Sequence, residues 1–254
     1  MSLIPGIDIF LRRSGLASPA NSLLLMIVIA VAALAVREFF RAFDGLFVGA
    51  TLVSEAIVMG LGLAIVAQMI LRRAVFKARW GERAFSIAFR WCAIPGLTLV
   101  AMGIAHFTWI EGARVVPPEI ALIPFAYLLV TGIVLWLRAL MVFGVDNLSM
   151  MYVYFPGESR LVNSNVYSVL RHPIYSALVR LAFALTLWNG SGLALFASVF
   201  VPLSMTAWLR RVEEPELIER FGAGYRAYRA RVPAFRNLNP RAWPVLWRFL
   251  VTGK

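Results

Sequence analysis

The sequence predicts an all-α polytopic integral membrane protein. It has about six transmembrane helices, the last two forming a C-terminal helical hairpin, and a cytosolic amphipathic tail follows. Three observations carry this reading. Of 254 residues, 61% are hydrophobic and only 15% are charged, against roughly half and roughly a quarter in an ordinary soluble domain. Mean hydropathy is +0.77. Apolar runs of about 20 residues, the length a span needs, recur along the chain. The same composition excludes disorder, which requires low hydrophobicity and high charge. The single cysteine, Cys92, excludes a disulfide scaffold.

The spans follow in order. The first apolar run is 21–36. The second, 46–71, is interrupted by Glu55 and Gln68. The third, 85–110, has Arg90 near its start and Pro95 inside. The fourth, 120–145, has Arg138 near its end. A last apolar stretch, 174–209, is too long for one span. Asn189-Gly190-Ser191-Gly192 breaks it with a turn signal, giving a hairpin with arms 174–188 and 193–209. The first arm is short for a span.

Basic residues orient these helices. The 72–83 loop carries Arg72, Arg73, Lys77, Arg79 and Arg83 and is expected in the cytoplasm. Alternation then places both termini and the polar 146–173 segment on that side, and a cell inner membrane is the expected location. The net charge of +12, from 25 Lys+Arg against 13 Asp+Glu, reads as orientation and contact with anionic lipid headgroups. No nucleic-acid motif accompanies it. Residues 1–145 are expected to form four N-terminal spans that bind an acceptor. Residues 146–254 are expected to form a cytosolic loop, hairpin and tail that hold a cofactor.

Polar chemistry concentrates near the C-terminus. The long connection ends in Tyr167-Ser168-Val169-Leu170-Arg171-His172-Pro173-Ile174-Tyr175. The arms of a hairpin are antiparallel, so Arg171-His172-Pro173 and the 210–214 exit return to one membrane face. At helical spacing Arg210 and Glu214 share a side, with Glu213 beside them. Pro215 suits the first turn of a new helix. Leu217, Phe221, Tyr225 and Tyr228 then form an apolar stripe that can fold back as a lid. Two histidines, His106 and His172, are too few for a histidine-based metal site. No Gly-rich nucleotide fingerprint follows a strand.

These residues carry a resemblance. The Arg171-His172-Pro173-Ile174-Tyr175 run, the turn at Asn189, Glu213-Glu214, Leu217, Phe221-Gly222, Tyr225, Tyr228 and Pro233 resemble the C-terminal half of the isoprenylcysteine carboxyl methyltransferase family. The wider group includes phospholipid methyltransferases and NnrU-like proteins. The resemblance covers about 163–233 and implies S-adenosylmethionine (SAM) bound between the hairpin and the tail. It implies cofactor contacts at Arg171, His172, Pro173, Tyr175, Glu213, Tyr225 and Tyr228. It implies that Arg210 and Glu214 hold the acceptor, a lipophilic or small carboxyl, thiol or amine compound. A cationic sulfonium and ammonium suit carboxylates and aromatic faces, and a SAM carboxylate suits Arg171 or His172. Two further readings stand beside this one. They are an NADPH-dependent reductase of the sterol-reductase type, tested by NADPH oxidation, and a non-catalytic NnrU-like accessory protein, tested by binding without turnover.

Other polar residues have plainer readings. Glu55 is expected to pair with Arg138 or Arg90, since an unpaired carboxylate in a span is expensive. Asp146, Asn147 and Glu158 read as wet loop residues. Arg226, Arg229, Arg231 and Arg236 read as headgroup contacts, and Trp91, Trp109, Trp208, Trp243 and Trp247 as an interfacial belt. Arg180 reads as snorkelling or as paired with a glutamate of the exit helix. Asn165 stands where the related pattern has a turn glycine.

Overall fold

The structure is a computed structural model that describes residues 4–235 and 242–253; Arg236 lies outside them. It is built from helices. Among the described residues the one β-type contact is an isolated bridge between Arg114 and Ser191. A short α1 (Ile7–Ser14) leads into α2 (Pro19–Phe43) and α3 (Ala50–Leu71). The basic 72–83 segment is itself largely helical, as α4 (Arg73–Trp80). It runs through α5 (Ala84–Ala88) and a π-helical stretch, Phe89–Ala93, into α6 (Ile94–His106). Then come α7 (Pro118–Phe143), a short α8 (Val145–Leu148) and an irregular connection. The hairpin is α9 (Pro173–Asn189) against α10 (Gly192–Ser198) and α11 (Phe200–Trp208). A second π-helical stretch, Leu209–Glu213, opens into α12 (Glu214–Arg231), and α13 (Trp243–Thr252) closes the described chain.

Among the described residues, five helical segments are long and apolar enough to cross a membrane: Pro19–Phe43, Ala50–Leu71, Arg73–His106, Pro118–Phe143 and Gly192–Arg231. The sixth expected span is α9, whose 17 residues reach about 25 Å at 1.5 Å per residue, less than the roughly 30 Å of a hydrocarbon core. Protein shields much of this arm, because α9 lies along α7 and also touches α6, α10 and α11. Gly132 of α7 makes room for it: a Cβ there would sit 3.1 Å from the Leu181 side chain. Likewise α3 and α6 approach through Gly62 and Gly96, where a Cβ on Gly96 would lie 2.6 Å from the Gly62 carbonyl. Small residues let helices meet closely where lipid supplies no hydrophobic drive.

The hairpin turn is fixed at the end of the bundle away from α1. Gly190 caps α9 at φ 74°, a left-handed conformation natural to glycine. Its carbonyl accepts from the Val115 amide at 2.8 Å, and Asn189 Nδ2 donates to the Ile110 carbonyl at 2.9 Å. The main core lies between α3, α5, α6 and α11, with Met69, Phe85, Phe107 and Met205 fully buried. At the α1 end Arg90 donates to the carbonyls of Ser14 and Gly15, both at 3.0 Å, satisfying the C-terminus of α1.

Candidate functional site

At the α1 end, the start of α9, the exit of the hairpin and α12 converge. Pro173 begins α9 one residue after His172, where its missing N–H is no loss. The chain beyond α12 turns back beside this start. The Arg171 amide donates to the Pro233 carbonyl at 2.9 Å, and the His172 amide to the Ala234 carbonyl at 2.8 Å. Residues about sixty apart in sequence are thereby clamped backbone to backbone.

Side chains complete the clamp. Arg171 donates from Nη1 to the carbonyl of Arg229 at 2.9 Å and also to that of Val232, while Nη2 donates to Glu214. Glu214 is buried and meets Arg229 Nε with its other oxygen at 3.1 Å. The His172 ring lies between the two glutamates, with Nδ1 3.3 Å from Glu213 and Nε2 3.7 Å from Glu214. Glu213 accepts from Tyr175 Oη and, at 3.0 Å, from Trp208 Nε1. Every buried carboxylate here has donors, as burial of a charge requires.

These groups border a cavity of about 130 Å³ lined by Arg171, His172, Pro173, Tyr175, Glu213, Tyr225 and Tyr228 among others. Tyr225 and Tyr228 come from α12 after a break at Gly222, whose φ 58°, ψ −130° is a conformation only glycine adopts readily. The break turns the second half of the helix back over the cavity, so Leu217 and Phe221 before it and both tyrosines after it line the same space. Tyr228 Oη donates to the Tyr167 carbonyl. Asn165 adopts φ 52°, and asparagine is among the few non-glycine residues that tolerate this.

The structure thus brings seven of the nine site residues expected from sequence to the cavity wall, and Glu214 directly behind it. It does not bring Arg210. That side chain is exposed, and among the described residues Glu214 pairs with Arg171 and Arg229 instead. The cause is the π-helical stretch Leu209–Glu213, whose wider turn rotates Arg210 off the side that a 3.6-residue period gives it.

Several other expectations are corrected. Arg229 binds Glu214 rather than facing headgroups alone, and Trp208 bonds to Glu213 and Tyr175 rather than serving only as an interfacial anchor. Asn147 lines the cavity, and Glu158 pairs with Arg13 at 2.7 Å. Arg180 bonds back to Ser176 on its own helix, not to a glutamate. Glu55 pairs with neither arginine; it meets His106 Nδ1 at 3.0 Å.

Burial alone would lower the His172 pKa, but the Glu213 and Glu214 carboxylates outweigh it and raise the pKa above its ordinary 6.5. A folded-state pKa above the unfolded one means the protonated ring stabilises the fold. This contribution is fully present below the unfolded value and fades as pH rises through the folded one. The melting-temperature gap between the wild type and His172→Gln is therefore expected to be widest near about pH 6 and to narrow toward about pH 9. A gap that stays constant or widens on the alkaline side would contradict this.

The wall also fits a SAM-type ligand. Tyr167 Oη and Arg171 Nε are buried there without a hydrogen-bond partner, and native structures leave few such atoms unsatisfied. Carboxylates and tyrosine faces supply the complement to a sulfonium and an ammonium. Among the described residues no group of side chains could hold a metal ion.

An all-helical polytopic membrane protein with a polar, aromatic-lined cavity where a hairpin meets its following helix is the class these features define. Residues 122–224 match the family model described as phospholipid methyltransferase. The match falls in the C-terminal half, where the motifs resemble the isoprenylcysteine carboxyl methyltransferase group, and it begins inside α7. The matched stretch is under half of the chain, and its likeness is to a family of methyltransferases. No curated protein and no solved structure matches significantly.

Proposed function

We propose that the chain is an integral-membrane, SAM-dependent methyltransferase. It acts at the cytosolic face of a cell inner membrane, with both termini cytoplasmic. Its acceptor is a lipophilic or small carboxyl, thiol or amine compound reached from the surrounding lipid. One observation carries the reading: Arg171-His172-Pro173, Tyr175, Glu213, Tyr225 and Tyr228 line one cavity inside or beside the stretch that matches the family.

When bound, SAM supplies an electrophilic methyl group on a sulfonium. The protein needs little acid–base chemistry for this; it must align the reactants and keep water away. Glu213, held by His172, Tyr175 and Trp208, presents fixed negative charge to the cationic parts of the ligand. Tyr225 and Tyr228 present aromatic faces and cover the cavity. Arg171 fixes Glu214 and the end of α12, so the cover and the α9 start keep one geometry.

Titration calorimetry in detergent tests this. SAM is expected to bind, and Glu213→Gln to weaken it at least tenfold, about 1.4 kcal/mol. A wild-type protein that ignores SAM but binds NADPH would overturn the reading.

A further inference from the structure

Three arginines line the cavity: Arg160, Arg171 and Arg220. They differ in what they have left to offer. Arg171 gives both terminal nitrogens to two carbonyls and Glu214, which leaves only its buried Nε, and the neighbouring His172 lies between two carboxylates. Neither has its terminal donors free for an incoming anion. Arg220 is otherwise placed. It stands on α12 just before the Gly222 break, and only 13% of its side chain is exposed. One terminal nitrogen donates to Glu216 at 3.0 Å, and the guanidinium lies 4.8 Å from the Phe221 ring centroid. Its Nε is buried with no acceptor. Arg160 is exposed, and no acceptor holds it among the described residues.

A buried donor left unsatisfied is costly, and a guanidinium offers the planar fork that carboxylate and phosphate groups match. We propose that Arg220, oriented by Glu216 and assisted by Arg160, is the anion-binding group of this cavity and takes the carboxylate or phosphate of a bound ligand. The methyltransferase reading supplies two sources for that anion: the carboxylate of SAM, or an acid group on an amphiphilic acceptor. The inference rests on that reading for the names of the ligands, not for the sign of the charge recognised.

Calorimetry in detergent on the wild type, Arg220→Met and the double variant Glu216→Gln/Arg220→Met tests it. The double variant leaves no unpaired buried carboxylate, so it keeps the test open if the single variant misfolds. Three probes are used: SAM, 5′-methylthioadenosine, which lacks the amino-acid carboxylate, and dodecyl phosphate as a single-chain anion. If the anion is the cofactor's, the variants weaken SAM at least tenfold and leave 5′-methylthioadenosine unchanged. If it is the acceptor's, they leave SAM unchanged and weaken dodecyl phosphate at least tenfold. Either result supports the proposal. Equal affinity of wild type and variants for all three probes overturns it, as does a uniform loss that includes 5′-methylthioadenosine. Wild-type protein that binds dodecyl phosphate through Arg220 but never binds SAM would reject the methyltransferase reading and keep the anion site.

Discussion

Arg171→Met is expected to destabilise the protein by about 3–5 kcal/mol and to abolish SAM binding. The guanidinium is nearly buried, and it joins the hairpin exit to the end of α12. Nη2 holds Glu214 at the hairpin exit, and Nη1 holds the carbonyls of Arg229 and Val232 at the end of α12. Removing it leaves Glu214, itself 4% exposed, with Arg229 and the more distant His172 ring as its cationic neighbours. Two carbonyls lose a donor as well. Breaking a buried pair is expensive because the surviving charge stays buried. Arg171→Lys is expected to rescue little, since one ammonium cannot reproduce the fork that spans carboxylate and carbonyls. Thermal unfolding in detergent gives the stability term, and SAM calorimetry gives the binding term. A methionine variant that melts with the wild type and binds SAM equally would show that the clamp is dispensable.

Much of this arrangement was legible in the sequence because hydrophobic length and turn chemistry are local properties. The Asn189–Gly192 signal places the hairpin turn, and antiparallel arms then bring 171–173 to 213–214 without any knowledge of packing. The failure at Arg210 is of another kind. A period of 3.6 assigns it to the face of Glu214, but the helix is not α-helical there. A signal existed: Pro215 follows the π-helical stretch Leu209–Glu213 by two residues, as Pro95 follows Phe89–Ala93. Proline lacks an N–H for the carbonyl four residues back and crowds it, so the preceding turn widens. Arg220 and Glu216 were overlooked because nothing in a charge-rich helix separates a cavity-facing arginine from a solvated one. Only the Gly222 break settles which residues turn inward. The partner of Glu55 was also out of reach, because the relative rotation of three spans is a tertiary property.

That partner sets the second large effect: His106→Leu is expected to lower stability by about 3 kcal/mol or more, on the order of 10 °C in melting temperature for a chain of this size. The site is at the opposite end of the bundle, where α2, α3 and α6 meet. His106 and Glu55 are fully buried, and the ring stacks on Phe40 with centroids 3.7 Å apart. Nδ1 meets Glu55 at 3.0 Å and Nε2 meets Asp44 at 2.8 Å; Ser54 Oγ donates to Asp44 at 2.6 Å. Both ring nitrogens face carboxylate oxygens. Leucine fills the space but supplies neither proton nor donor, leaving two carboxylates that repel each other, one of them wholly out of water. Neutralising the carboxylate should recover part of the loss, so Glu55→Gln/His106→Leu is expected to melt above His106→Leu alone. Residues in one network are not additive, and a double-mutant cycle on this pair should show a coupling of about 1 kcal/mol or more. SAM affinity is expected to stay within about twofold, because less than 0.5 kcal/mol separates such values and the cavity is built by other residues. An unchanged melting temperature in His106→Leu would show that the cluster does not hold these helix ends together. A large fall in SAM affinity with the fold intact would instead couple the two ends of the bundle through α3, which carries Glu55 and also Ile70 of the cavity wall.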